Sequence, residues 1–298
     1  MMALRRISHL FFLIAVTMGL QTPAHAGENV FGWIYTADTL GKGQREFEQQ
    51  AFLQKSQSQG KYSNWLLRSE VEYGLTDNLQ IAGYLNTRYV NAYQNGVNGD
   101  TSGPDVDVPS DFDTSKRYRR FRADSASVEL IYRLLNPYID PIGLALYIEP
   151  ELGSRTRELE TRLILQKNFL DDRLIMAANL MAKSERERSS GEIERASMLD
   201  TTFGFSYRFA QNMSAGLEYR NHREWAGYRF NSPEHSAHFL GPNFHYATKN
   251  WWATVAWRHQ MKWVKTFNDE QKEAVVNSRI YGGEHARNEL MFKVGFPF

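Results

Sequence analysis

The last nine residues, Leu290 to Phe298, carry apolar side chains at every second position: Leu290, Phe292, Val294, Phe296 and Phe298. Successive strand side chains point to opposite faces, so this is a strand with one wholly apolar face, running to the C-terminus. Its other face carries Glu289, Met291, Lys293 and Gly295. An apolar face toward lipid and a polar face toward a lumen describe the closing strand of a transmembrane barrel.

The same alternation recurs upstream, punctuated by tight polar turns at Thr76-Asp77-Asn78, Asn136 to Pro141, Asp171-Asp172, Ala210-Gln211-Asn212 and Lys249-Asn250. Asn, Asp and Gly supply the turn conformations, and Pro interrupts pairing. Longer polar connections lie between them, at 55–61, 91–120, 153–157, 185–194, 229–236 and 265–285. Short turns on one side and long loops on the other are the barrel rhythm, and the parity gives about twelve antiparallel strands with both termini periplasmic. The expected strands are 44–55, 62–75, 79–90, 121–135, 143–153, 157–169, 173–185, 194–209, 213–228, 236–248, 251–264 and 286–298. The fold class is therefore all-β, a transmembrane barrel spanning 44–298, whose last strand pairs with the first near Glu46–Leu53.

The aromatic positions agree. Tyr73, Phe169, Tyr207, Phe209, Trp251, Phe296 and Phe298 cluster near the short turns, and Trp65, Tyr89, Trp225, Tyr228 and Trp263 near the long loops. Two aromatic girdles flanking an aliphatic band belong to an outer-membrane barrel, whereas a soluble sandwich mixes its aromatics into the core.

Composition places the barrel. Arg5-Arg6, an apolar run from Leu10 to Leu20 and Ala24-His25-Ala26 form a secretory signal peptide over residues 1–26. The apolar run falls short of the roughly 20 residues a membrane-spanning helix needs. The mean hydropathy is negative, yet aromatics reach 13%. That combination suits a barrel in which only alternate residues meet lipid. A net charge of +1 gives no field for nucleic acid, and with 0 Cys there are no disulfides, thiolate metal sites or Cys nucleophiles. The expected location is the outer membrane of a Gram-negative bacterium, reached by Sec-type export.

Alternation assigns the charged side chains to the lumen. Expected inward bases are Arg68, Arg88, Arg133, Arg162, Lys183, Arg208, Arg220, Arg258, Lys262 and Lys293. Expected inward acids are Glu46, Glu48, Glu70, Glu72, Glu129, Glu149, Glu151, Glu158, Glu160, Asp200, Glu218 and Glu289. The two signs balance, so no selectivity follows, because an ion-selective pore carries an excess of one sign. Two functions remain open: a narrow channel or facilitator for small solutes, or a non-conducting structural or adhesion barrel filled by its own ion pairs. Residues 27–43 are read first as a periplasmic tail on the barrel mouth, and second as a small plug entering the lumen.

Other chemistry is sparse. An outer-membrane lipid hydrolase needs a nucleophile beside a His, but in Glu234-His235-Ser236-Ala237-His238 the His235 and Ser236 side chains point to opposite faces. No metal is expected: His222 and His245 have no evident third ligand, and a site needs three or four. Asp100, Asp105, Asp107, Asp111 and Asp113 lack the spacing of a calcium loop and read as a solvated acidic loop. The basic run Lys116, Arg117, Arg119, Arg120 and Arg122 at the outer rim suits phosphorylated lipopolysaccharide headgroups. No cofactor is expected.

The terminal strand, ending on Phe298 with Phe296, Val294, Phe292 and Leu290 before it, resembles the C-terminal assembly signal of Gram-negative outer-membrane proteins. That implies insertion by the barrel assembly machinery. The stretch Tyr35-Thr36-Ala37-Asp38-Thr39-Leu40-Gly41-Lys42-Gly43, followed by Glu46-Phe47-Glu48, is similar to a family of uncharacterised proteobacterial barrels. They carry Thr-Leu-Pro-Lys-Gly before a Glu-x-Glu first strand, and here Gly41 stands in place of the Pro. Barrels linked to aromatic-compound degradation are more distant likenesses. The resemblance implies fold and location, and no activity.

Overall fold

A computed structural model describes residues 29–189, 192–282 and 285–298. The signal-peptide reading of residues 1–26 lies outside them. Eleven strands follow in chain order: β1 Arg45–Lys55, β2 Lys61–Thr76, β3 Leu79–Tyr93, β4 Tyr118–Leu135, β5 Gly143–Gly153, β6 Thr156–Phe169, β7 Leu174–Ser189, β8 Glu192–Ala210, β9 Met213–Ala226, β10 Pro233–Ala247 and β11 Trp252–Gln260. The loop after β11 holds β12 Lys265–Thr266, α1 Asp269–Glu273, β13 Val275–Val276 and β14 Arg279–Ile280, before β15 Asn288–Pro297. Each barrel strand pairs antiparallel with its sequence neighbour, β11 pairs with β15, and β15 pairs with β1. Twelve strands thus close the barrel among the described residues, and no helix among them is long and apolar enough to cross a membrane. The seam runs from Glu46 opposite Pro297 to Lys55 opposite Asn288 and so includes the Glu46–Leu53 stretch where the last strand is expected to pair.

The barrel is polar inside and apolar outside. Leu85 is 68% exposed on the outer surface while Glu129, on the strand beside it, is 1% exposed in the lumen. Closure removes every free strand edge, so the backbone can sit in lipid with its polar groups satisfied. Exposed aromatics include Tyr73, Phe169, Phe209, Trp251, Phe296 and Phe298 near one end and Phe121, Tyr228, Phe230, Trp263 and Phe267 near the other, with Phe203, Trp257 and Phe292 between them.

Two boundaries differ from expectation. The charged stretch around 185–194, read as a loop, is largely strand, since Glu185 to Ser189 pair with Ala196 to Glu192. Its side chains are mostly charged, and Glu185 and Glu187 pair with Lys183 and Arg155, so the apolar alternation disappears while backbone pairing persists. Conversely β11 stops at Gln260 rather than at residue 264. Its partner β15 starts only at Asn288, so past His259 the strand keeps a ladder neighbour only on β10, with Gln260 opposite Phe239. β12 takes up the vacated edge of β10, with Thr266 opposite His235. Lys262, expected in the lumen, therefore lies past the strand end and is exposed.

The loop between β11 and β15 is locally encoded. Asn268 caps α1 by accepting from the Gln271 amide at 2.7 Å, with Asp269 and Glu270 in the positive first turn. Asn277 and Ser278 both take positive φ, 52° and 61°, as a two-residue β13–β14 hairpin turn requires.

Candidate functional site

The lumen is the candidate site. From one end it is filled by residues 29–43, which correct the expectation of a tail packed on the mouth. Buried backbone amides need partners, and here wall side chains supply them. The Glu218 carboxylate on β9 accepts from Gly32 N at 2.6 Å and Trp33 N at 3.0 Å. Asn179 on β7 accepts from Tyr35 N at 2.8 Å and donates to Tyr35 O at 2.9 Å. Gln166 on β6 accepts from Ala37 N at 2.7 Å, and Gln80 on β3 accepts from Leu40 N at 2.8 Å. Asp77, in the β2–β3 turn, accepts from Lys42 N at 3.0 Å.

Apolar contacts hold the same segment. Val30, Phe31 and Ile34 pack on Ala177 and Ile175, and Tyr35 and Ala37 on Ile131, Ala145, Tyr147 and Ile164. These wall residues interrupt the polar inward series of β4 to β7, a signal in the sequence that an apolar object lies inside. Arg258 stacks over Trp33 at 3.7 Å and Arg162 over Tyr35 at 4.4 Å. Asp38 is buried with the segment and accepts from Gln166 Nε2 at 3.3 Å. Burial pushes its carboxyl above the usual range, against hydrogen bonds from Gln166, Thr36 and Tyr138.

The other end is narrowed by the loop between β3 and β4. Val106, Val108 and Phe112 pack on Tyr62, Val90, Ala92 and Tyr118. Asp105 meets Arg88 at 2.5 Å and Arg122 at 3.0 Å, and both arginines also meet Asp124. Asp107 lies 3.5 Å from Arg155. Asp105 and Asp107 are thus ion-paired within the fold rather than solvated, whereas Asp111 and Asp113 are exposed. Arg122, expected to face headgroups, points inward to Asp105 and Asp124. Lys116, Arg117, Arg119 and Arg120 are exposed at the rim, with Arg117 also over the Tyr93 ring at 5.4 Å.

Most of the expected lumen charges do face inward, in paired groups. Arg68 pairs with Glu149, stacks over Tyr84 at 4.0 Å and donates to Asn86. Arg220 pairs with Asp200 and lies 3.5 Å from Glu289, which also pairs with Arg258 at 2.6 Å. Arg162 pairs with Glu160 at 2.5 Å, and Lys183 with Glu185 at 2.9 Å and Glu158 at 3.4 Å. Glu151 accepts from Ser125 at 2.6 Å. Arg133 braces the β2–β3 turn through Asp77 O at 2.6 Å. Arg208 is half-buried near the end of β8.

The balance of sign conceals a segregation. On adjacent strands Glu46 stands opposite Glu72 and Glu48 opposite Glu70, with Glu129 two strands further on. Like charges directly opposed destabilise a sheet. Neutral donors hold most of them: Trp252 donates to Glu46 at 2.9 Å, Gln50 to Glu70 at 3.0 Å, Gln80 to Glu72 at 2.8 Å and Tyr84 to Glu129 at 2.6 Å. Lys293 lies 3.5 Å from Glu48. A cavity of about 20 Å³ lies between this wall and the inserted segment, lined by Glu70, Glu72, Glu129, Tyr35 and Asp38 among others. The expectation of a lumen without a local sign is corrected on this wall.

Toward the long-loop end β9 and β10 bring together His222, Glu224 and His235 with His285 of the last loop, four groups whose ligand-capable atoms all lie within 4.8 Å of one another. The sequence reading found no third ligand for His222. The inward pair His222-x-Glu224 and the inward His235 on the next strand were legible, but His285 arrives from a loop. Ser236 faces away from His235, and its hydroxyl accepts from Asn221 at 2.8 Å.

Solved barrels share this fold. The COG4313 outer membrane channel from Pseudomonas putida F1 superposes with a TM-score of 0.53 at 11% identity, over 87% of this chain and 97% of that one. The NanC porin superposes with a TM-score of 0.50 at 11% identity, over 84% and 98%. At such identity the likeness is one of fold, that of porin-like outer-membrane barrels. No curated protein matches the chain. Residues 23–298 match the "Family of unknown function (DUF6662)", and the chain belongs to that family.

Proposed function

We propose that this protein is an outer-membrane channel for small solutes, closed at rest by its own residues 29–43 and preferring cations. The observation that carries the reading is the carboxylate wall of Glu46, Glu48, Glu70, Glu72 and Glu129, the last three of which line a small polar cavity beside the inserted segment. Inward carboxylates favour cations. An acid matched by arginine loses its field, whereas the partners of these acids include the neutral donors Trp252, Gln50, Gln80 and Tyr84. Both termini are periplasmic in this reading, after Sec-type export and insertion by the assembly machinery, and no enzymatic step is assigned. Lys116, Arg117, Arg119 and Arg120 lie at the outer rim, where they meet lipopolysaccharide phosphates.

The test is planar-bilayer conductance of the folded wild type and of a variant lacking residues 29–43. The wild type is expected to show small or rare openings, and the deletion larger steps with a reversal potential on the cation side. A folded deletion variant that never exceeds the leak of the bare bilayer would overturn the channel reading. It would favour a second one, a non-conducting structural or adhesion barrel, which the paired lumen charges and the two insertions support.

A further inference from the structure

We propose that His222, Glu224, His235 and His285 form a binding site for a divalent transition metal of the Zn²⁺ class, clipping the last outer loop to the barrel wall. The four side chains come from three places in the sequence. His222 and Glu224 sit two apart on β9 and share its inward face, His235 stands opposite Glu224 on β10, and His285 descends from the loop before β15. His222 Nε2 lies 3.6 Å from Glu224 Oε2, and His235 Nε2 lies 3.5 Å from the same oxygen. Zinc bonds of about 2.0–2.1 Å in a tetrahedron separate the ligand atoms by about 3.4 Å. Two of the spacings are therefore close to those of a loaded site. His235 Nε2 and His285 Nε2 share a hydrogen bond at 2.6 Å, which a bound ion would replace while the two nitrogens move apart.

Three imidazoles and one carboxylate are a donor set suited to Zn²⁺ and its neighbours rather than to Ca²⁺ or Mg²⁺, which take oxygen ligands. A second shell is also present. Asp200 Oδ1 lies 2.6 Å from His222 Nδ1, leaving Nε2 directed at the other three groups. Metal-ligating histidines are oriented by such a carboxylate on the far ring nitrogen. Asp200 is itself fixed by Arg220. His222 and His285 are fully buried and His235 nearly so. Glu224, the more open ligand, lies near the carboxylate of Glu234, which in turn has Glu270 and Glu194 close by, and together they would concentrate cations at the entrance.

The experiment uses the whole folded barrel in detergent, stripped with a chelator and titrated with Zn²⁺ by calorimetry. Co²⁺ serves as a spectroscopic probe of tetrahedral geometry. One Zn²⁺ per chain is expected, binding in the micromolar range or tighter, with tetrahedral Co²⁺ absorption and protection of the 261–287 loop from protease. His285→Ala, outside the barrel strands, is expected to abolish the saturable equivalent while heat-modifiable gel mobility stays that of a folded barrel. Asp200→Asn is expected to weaken binding by about 10–100-fold. His238→Ala, which removes a nearby His outside the cluster, is expected to change nothing. Binding unaffected by His285→Ala, equal loss on His238→Ala, or no saturable equivalent in the folded wild type would each overturn the proposal.

Discussion

Replacing Gly32 by alanine tests how rigidly the inserted segment is seated. A methyl group at Gly32 would stand 2.5 Å from Cβ of Ala256 and 3.3 Å from Cβ of Met291. Carbon atoms prefer about 3.5–4.0 Å. Both neighbours are the first side-chain atoms of wall residues, so neither can rotate away without moving β11 or β15. The segment must instead withdraw by about 1 Å, the gap between the clash and that contact distance. Withdrawal spoils the two bonds that Gly32 N and Trp33 N make to Glu218, at 2.6 and 3.0 Å. Overpacking costs about 1–3 kcal/mol, and partial loss of bonds to a charged acceptor adds about 1–2 kcal/mol. The sum, about 2–5 kcal/mol, shifts the ratio of seated to released segment by about 30-fold to a few thousandfold. Limited proteolysis of the N-terminal segment reads that ratio directly, and the rate of channel opening in bilayers reads it independently. Gly83→Ala on the wall is the control, because a methyl there meets nothing within 4 Å. A folded Gly32→Ala protein with wild-type cleavage and conductance would refute the reasoning.

Three further outcomes are expected. Asp38 is held above the usual carboxylate range by burial, with Arg133 and hydrogen bonds opposing. Seating of the segment is therefore strongest below the unfolded value of about 3.9 and weakens as pH rises through the raised folded value. Proteolysis should quicken over that window in the wild type and much less in Asp38→Asn, and identical profiles for the two would contradict this. Asp105→Asn leaves Arg88 and Arg122 with Asp124 as their remaining carboxylate partner, costing about 3 kcal/mol. The β3–β4 loop should then become protease-sensitive in a barrel whose thermal midpoint barely moves. Removing Phe298, whose side chain is 70% exposed and whose amide donates to Arg45 O at 3.1 Å, should cost little stability in a protein refolded in detergent. It should sharply lower the heat-modifiable fraction in the outer membrane, and equal losses in both preparations would argue against a role in assembly.

The wall of the barrel was readable because lipid on one side and polar surroundings on the other impose a period of two on every strand. Leu290 to Phe298 show it most plainly. What escaped the sequence lies where that constraint ends. Strand pairing in water, as at Glu185 to Ser189, carries no apolar face. Asp105 looked like a solvated loop residue because an inward-folding loop obeys no period, and Arg122, which lies on β4, was grouped with the rim cations by sequence proximity rather than by strand face. Residues 29–43 left their mark on the wall rather than in themselves: Ile131, Ala145, Ile164 and Ala177 are inward apolar residues on four successive strands. Counting lumen charges by sign gave a balance, but register decides the local field, and register sets Glu46 against Glu72.

The inserted segment is covalently continuous with β1, and β1 forms the seam with the last strand made, β15. A barrel assembled in chain order stays open at that seam until its C-terminus arrives. The interval before closure is when residues 29–43 can enter sideways and meet Asn179, Gln166 and Gln80 on strands already in place. After closure the same chain would have to enter through the mouth at the short-turn end, because the β3–β4 loop narrows the other. Seam and filling are thus tied to one stretch of chain, and a circular permutation that moves the seam away from residues 29–43 should yield a wall of the same register around a differently occupied interior.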